Sequence, residues 1–204
     1  YKNAQKYFDL ALKLNPNSIE ARLNKGAVLS EVGYIDDSIQ VYKDILKIEP
    51  NSYNAYGNLG CSYASLGAYE EAIECFKSGL RISPNNAVIF TNMGYSFQQA
   101  KNLQEAHRCF FRAIEIDPTY LPAFINHGIL YLKTGDYENS LICLKKALNI
   151  DQNSVEAILN YASLLSDIGE FTEAEYYINK ALKINPNKTT AISNLLLMSN
   201  YSSN

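Results

Sequence analysis

The sequence predicts an all-α protein of stacked helix pairs, and three observations carry that prediction. Proline recurs at Pro16, Pro50, Pro84, Pro118 and Pro186, at a period of 34 residues, with Gln152 in the slot between the last two. A small residue recurs in the same register at Gly26, Gly60, Gly94, Gly128 and Ala162. Within each period, apolar residues follow helical spacing twice, on either side of a turn. A fixed period of this length marks a solenoid: one unit cannot bury its apolar face alone, so neighbours stack into a continuous core.

The second unit shows the local logic. Tyr56, Leu59, Gly60 and Tyr63 fall at i, i+3, i+4 and i+7, one face of a helix. Gly67 supplies the left-handed conformation that ends it. Ala72, Phe76 and Leu80, at i, i+4 and i+8, form the face of a second helix, which Pro84 and Asn85-Asn86 terminate. The turn glycine recurs at Gly33, Gly67, Gly135 and Gly169, with Lys101-Asn102 in the third unit. A second small column runs through Ala4, Ser38, Ala72, Ala106, Ser140 and Ala174. A large column runs through Phe8, Tyr42, Phe76, Phe110, Leu144 and Ile178. Small residues such as Gly60 and Ala72 let the paired helices approach closely. The register divides the chain into units 19–52, 53–86, 87–120, 121–154 and 155–188. Residues 1–18 are expected to be the second helix of an incomplete unit. Residues 189–204 are expected to open a further unit or a following domain.

These columns resemble the tetratricopeptide family, with its Leu-Gly, Tyr, Ala, Phe/Tyr, Ala and Pro at the same offsets. The family's Trp is absent; Arg22, Tyr56, Phe90, Phe124 and Ile158 stand in its place. The resemblance implies a right-handed superhelical solenoid with a long concave groove that binds a protein or peptide.

One column points to that groove. Asn24, Asn58, Asn92, Asn126, Asn160 and Asn194 hold the same position in six successive first helices. At 100° per residue they lie roughly 150° from the centre of the buried stripe, the side that lines the groove in the tetratricopeptide architecture. An amide both donates and accepts hydrogen bonds, so it pairs with any peptide backbone. Helices pack about 8–10 Å apart, and an extended chain advances about 3.3 Å per residue. One asparagine per repeat therefore meets roughly every third residue of a bound strand. Cys61, Tyr95, Ile129 and Ser163 one turn on, and Gly57, Thr91, Ile125 and Leu159 one residue before, are expected to colour the groove. The expected peptide-binding set is thus the six asparagines with Tyr95 and Ile129. Lys and Arg are missing just before the asparagines, which argues against a clamp for a C-terminal carboxylate.

The Asn-x-Gly pattern in Asn58-Leu59-Gly60 and Asn92-Met93-Gly94, and the tail Ala191–Tyr201, resemble the superhelical arm of O-linked N-acetylglucosamine transferases. That resemblance implies an alternative: a substrate-recruiting arm of a glycosyltransferase whose catalytic domain is not in this chain. The asparagine column would then hold acceptor polypeptide.

Other chemistry finds little footing. The net charge of −3 leaves no basic footprint for nucleic acid. The longest apolar run, near Leu195–Met198, is too short to span a membrane. Four cysteines in a chain of this length read as reduced thiols in a cytoplasmic setting. Cys75, Cys109 and Cys143 share one column on successive repeats, too far apart to converge on one zinc. His127 occupies a core column, and His107 lies on a second helix. The acidic pairs Asp36-Asp37 and Glu70-Glu71 suit helix N-termini. No phosphate loop, nucleophile elbow or metal motif is present. The expectation is a non-enzymatic scaffold with no cofactor and no metal, whose partner is a protein or peptide, including copies of itself.

Overall fold

The structure, a computed structural model, describes residues 12–15, 18–193 and 195. Ala4, Phe8, Pro16, Asn194 and the tail from residue 196 lie outside the described residues. Ten helices lie wholly among the described residues, in order: α1 Ile19–Glu31, α2 Ile35–Ile48, α3 Tyr53–Ser65, α4 Tyr69–Ile82, α5 Ala87–Gln99, α6 Leu103–Ile116, α7 Leu121–Lys133, α8 Tyr137–Ile150, α9 Val155–Asp167 and α10 Phe171–Ile184. The same residues contain no strand. The fold is all-α, in consecutive helix pairs of the tetratricopeptide type. It forms two compact units, residues 1–109 and 110–204.

Local chemistry sets the helix ends. Ser18, Asn86 and Ser154 cap α1, α5 and α9, each side-chain oxygen accepting the N–H of the residue three further on. After α3, Gly67 sits at φ +77°. Its N–H donates to the Ala64 carbonyl at 3.0 Å and that of Ala68 to the Tyr63 carbonyl at 3.0 Å. This closes the left-handed cap that a Cβ would strain. Lys101 takes the same role at φ 65°. The Asn102 N–H then donates to the Phe97 carbonyl at 2.9 Å, so hydrogen bonding holds the turn without glycine.

The small column explains how the helices of a pair approach. A Cβ on Gly26 would stand 2.7 Å from the Tyr42 ring, and one on Gly60 2.6 Å from that of Phe76. In the second unit, a Cβ on Gly128 would stand 2.8 Å from Leu144. Each glycine lets the large residue sixteen positions later lie against the helix backbone. In the last pair Ala162 replaces glycine and the large residue is Ile178, both buried in one cluster. Opposite this alanine stands a β-branched side chain, where the other pairs carry Tyr42, Phe76 or Leu144 against glycine.

A second exchange lies between successive pairs. Leu23 packs in one cluster with Ala55, Ile125 with Ala157, and Leu159 with Ala191. Between α3 and α5 the sizes are reversed. Gly57 faces Ile89, whose Cγ1 would lie 3.6 Å from a Cβ there, and Ile89 also fills the space over Gly79.

Candidate functional site

The asparagine column lies on the first helices, at the seams between neighbours. In the first unit Asn24 is exposed, while Asn58 and Asn92 are half-buried. In the second unit Asn126 and Asn160 are half-buried. The amides are not equivalent. Asn92 Nδ2 donates to Cys61 Sγ at 3.3 Å, bridging α5 to α3. Asn126 and Asn160 instead donate to their own helices, to the carbonyls of Pro122 and Glu156, each at 2.9 Å. Each of these three amides therefore commits one N–H internally and keeps an N–H and its carbonyl oxygen.

The residues just before the asparagines depart from the sequence expectation. Thr91, Ile125 and Leu159 are only 2%, 2% and 7% exposed. They do not colour an open surface. Offset by 100° from the asparagine, the position turns into the stack, as the packing of Ile125 on Ala157 and of Leu159 on Ala191 shows. Gly57 is half-buried beneath Ile89. Ile129 is half-buried and packs on the cluster of Phe124, Ile125, Ala147 and Ala157.

Two of the expected residues do meet, in the first unit. Asn92 and Tyr95 of α5 line an open cleft of about 220 Å³ with Cys61, Ala64 and Ser65 of α3 and Phe76 of α4. Tyr95 is 42% exposed, while Phe76 is fully buried and forms the floor. The Ser65 hydroxyl donates to the Cys61 carbonyl at 3.0 Å. Burial pushes the Cys61 thiol up to about 11, so at neutral pH it is protonated and uncharged. The cleft is built for noncovalent contact.

Ala64, Ser65 and Phe76 do not emerge as site residues from the sequence reading. The signal was a comparison between repeats. Cys61, Ala64 and Ser65 correspond to Tyr95, Gln98 and Gln99 in the next first helix, and to Ile129, Leu132 and Lys133 in the one after. The short side chains of α3 give way to long ones in both.

Charge sharpens the picture. Neither α3 (YNAYGNLGCSYAS) nor α5 (AVIFTNMGYSFQQ) contains an Asp, Glu, Lys, Arg or His. The second helix between them carries Glu70, Glu71, Glu74, Lys77 and Arg81, with Lys77 paired to Glu74 at 2.7 Å. In the second unit a larger hollow of about 680 Å³ lies at the end of α8, lined by Asp151, Gln152, Tyr177 and Lys180. There Lys180 Nζ donates to the Gln152 carbonyl at 2.8 Å, a cation serving the carbonyl-rich end of a helix.

His127 is buried and stacked on Tyr131 with ring centroids 4.4 Å apart, which fits its core column. Among the described residues, no group of three His, Cys, Asp or Glu is placed to hold a metal, and no helix is long and apolar enough to cross a membrane.

Tetratricopeptide repeat models match residues 53–86, 121–154 and 155–188, together half of the chain. No curated protein sequence matches it. Among solved structures, MamA superposes with a TM-score of 0.66 at 25% identity, covering 80% of this chain and 96% of MamA. TTC0263, a thermophilic TPR protein of Thermus thermophilus, gives a TM-score of 0.77 at 20% identity, over 88% of this chain and 97% of that one. YrrB, described as a TPR protein with an unusual peptide-binding site, gives a TM-score of 0.61 at 21% identity, over 91% and 96%.

Proposed function

The chain belongs to the tetratricopeptide repeat family, and from that premise we propose that it is a protein–protein interaction scaffold holding an extended polypeptide segment on its first helices. The observation that carries the reading is the cleft where Asn92 and Tyr95 meet Cys61 on two charge-free helices. A backbone amide crossing this surface finds a donor and an acceptor in each asparagine, with Tyr95 offering an aromatic face and a hydroxyl. Asn24, Asn58 and Asn92 serve the first unit in this way; Asn126 and Asn160, beside Ile129, serve the second. YrrB, on a like fold, is described as having a peptide-binding site, which agrees with the reading in kind. The chemistry is binding alone, with no bond made or broken.

The test is panning of a random 12-residue peptide library on the whole chain, followed by fluorescence anisotropy of enriched peptides. One hydrogen bond is worth about 0.5–1.5 kcal/mol net. Asn58→Ala or Asn92→Ala should therefore weaken binding roughly two- to twelve-fold, with unchanged far-UV circular dichroism. Failure to enrich any peptide, or affinities untouched by both substitutions, would sink the proposal.

A further inference from the structure

We infer that the cleft between α3 and α5 is an anchor pocket for one uncharged apolar side chain of the bound polypeptide, a Leu, Met or Phe. The inference rests on the groove reading above and adds to it a rule of selection.

Size is the first argument. A cavity of about 150 Å³ accommodates benzene, whereas sites for whole small molecules run to about 300–1,000 Å³. At about 220 Å³ the cleft matches one large side chain. It is open on one side, as a side chain entering from a strand on the surface requires.

Lining is the second argument. Cys61, Ala64 and Phe76 supply apolar walls and floor, and the Cys61 thiol is neutral. Ser65 Oγ is turned back onto the Cys61 carbonyl, so its one donor is already used. Asn92 stands at the edge, fixed by its bond to Cys61 Sγ, with an N–H and the carbonyl oxygen left for the backbone of the residue whose side chain enters.

Charge is the third. The two helices that form the walls carry no ionisable charge over their whole lengths. A Lys, Arg, Asp or Glu entering the cleft would lose water and find no counter-charge. An apolar side chain loses nothing and buries its surface. The partner segment is therefore neutral where it crosses this seam, and its affinity there does not depend on salt.

The corresponding place in the second unit is built differently, for a reason visible in the sequence. Ile129, Leu132 and Lys133, all larger, stand where Cys61, Ala64 and Ser65 stand. The two seams therefore select differently.

The inference is tested on the whole, ¹⁵N-labelled chain by titration with blocked amino acids: N-acetyl-leucine, N-acetyl-lysine and N-acetyl-aspartate methylamides. The leucine probe should shift the amides of Ala64, Ser65, Asn92 and Tyr95. Its dissociation constant should be at least about tenfold below that of either charged probe, and unchanged when salt is raised. Cys61→Leu should fill the cleft and abolish the shifts while helicity is retained. Absence of leucine-probe shifts at these four residues, or equal shifts from the lysine probe, overturns the inference. Both readings come from the unaltered chain and stand even if C61L does not fold. The panned peptides separate this idea from the one beneath it. Enriched peptides with no apolar preference, bound equally by C61L, leave the groove reading intact and refute the pocket. Failure of all enrichment refutes the groove reading, while the blocked leucine still reports on the pocket.

Discussion

Two glycines three residues apart on α3 should respond with opposite signs to the same substitution. Both Gly57 and Gly60 lie inside the helix Tyr53–Ser65. Alanine at either site gains about 1 kcal/mol of helix propensity. At Gly57 the new methyl would meet Ile89 at 3.6 and 3.8 Å, ordinary contact, so the gain is kept. At Gly60 it would stand 2.6 Å from Phe76 Cε1 and 2.9 Å from Cδ1 and Cζ, against a ring with no exposed surface. Overpacking of this kind costs about 1–3 kcal/mol, and a 2.6 Å approach belongs at the upper end. The balance is about 1 kcal/mol of stabilisation for G57A and about 2 kcal/mol of destabilisation for G60A, a separation of about 3 kcal/mol.

The fifth pair supplies the control. Ala162 and Ile178 show that an alanine in this column is accommodated opposite isoleucine. The double variant G60A/F76I moves that solution into the second pair. Its stability should exceed the sum of the single effects, with a coupling of at least about 1 kcal/mol. Urea unfolding followed by far-UV circular dichroism gives the differences. Amide exchange in α3 and α4 localises them, since repeat arrays need not unfold in one step. G60A as stable as G57A, or strict additivity in the double variant, would refute the argument that the ring rests on a bare backbone.

Two further outcomes follow from the packing. Ile89→Ala leaves a void over Gly57 and Gly79, neither of which has a side chain to close it. Large-to-small changes of this kind cost about 2–5 kcal/mol, and thermal unfolding should place I89A in the upper half of that range. The second concerns alkali. Burial pushes the thiols of Cys61, Cys75 and Cys143 up to about 11 and that of Cys109 to about 12, from 9.0. Between about pH 9 and 11 the unfolded chain has released thiol protons that the folded chain retains, so stability is full below pH 9 and falls as pH rises toward 11. Urea midpoints at pH 8 and pH 10 should show the fall, and replacing all four cysteines by alanine should flatten it; an equal fall in that variant refutes the assignment to thiols.

The fold was legible because its rules are local and repeated. Tyr42, Phe76, Leu144 and Ile178 recur opposite a glycine or alanine, and that pairing alone predicts close helix pairs. The left-handed turn was legible at Gly67 from glycine, and at Lys101 only from register, because no residue type there announces φ 65°. What escaped was whatever depends on two side chains from different repeats. Thr91, Ile125 and Leu159 sit next to the asparagines in sequence, and helical arithmetic placed them near the surface. Their burial is decided by what stands in the adjacent first helix, information that a single helical wheel does not contain. The reversed pair Gly57 and Ile89 is invisible for the same reason until both columns are aligned.

The same distinction separates the asparagine column from the cleft. The column repeats and so is seen at once, but repetition is also what a purely structural residue would show. Asn126 and Asn160 spend an N–H on their own helices, and that bond would be made with or without a partner. The cleft is not matched in the next two first helices, where Tyr95, Gln98 and Gln99, and then Ile129, Leu132 and Lys133, hold the column. It needs Cys61, Ala64 and Ser65 to be short together, and it needs two neighbouring helices without charge, although the second helix between them is rich in charge. Solenoid stability asks for neither. Stacking needs the buried columns filled, and those are filled here by Leu59, Phe76 and Ile89. A wall of short, uncharged side chains outside those columns is what a ligand's side chain would require, which is why selectivity is argued from this seam rather than from the regular ladder.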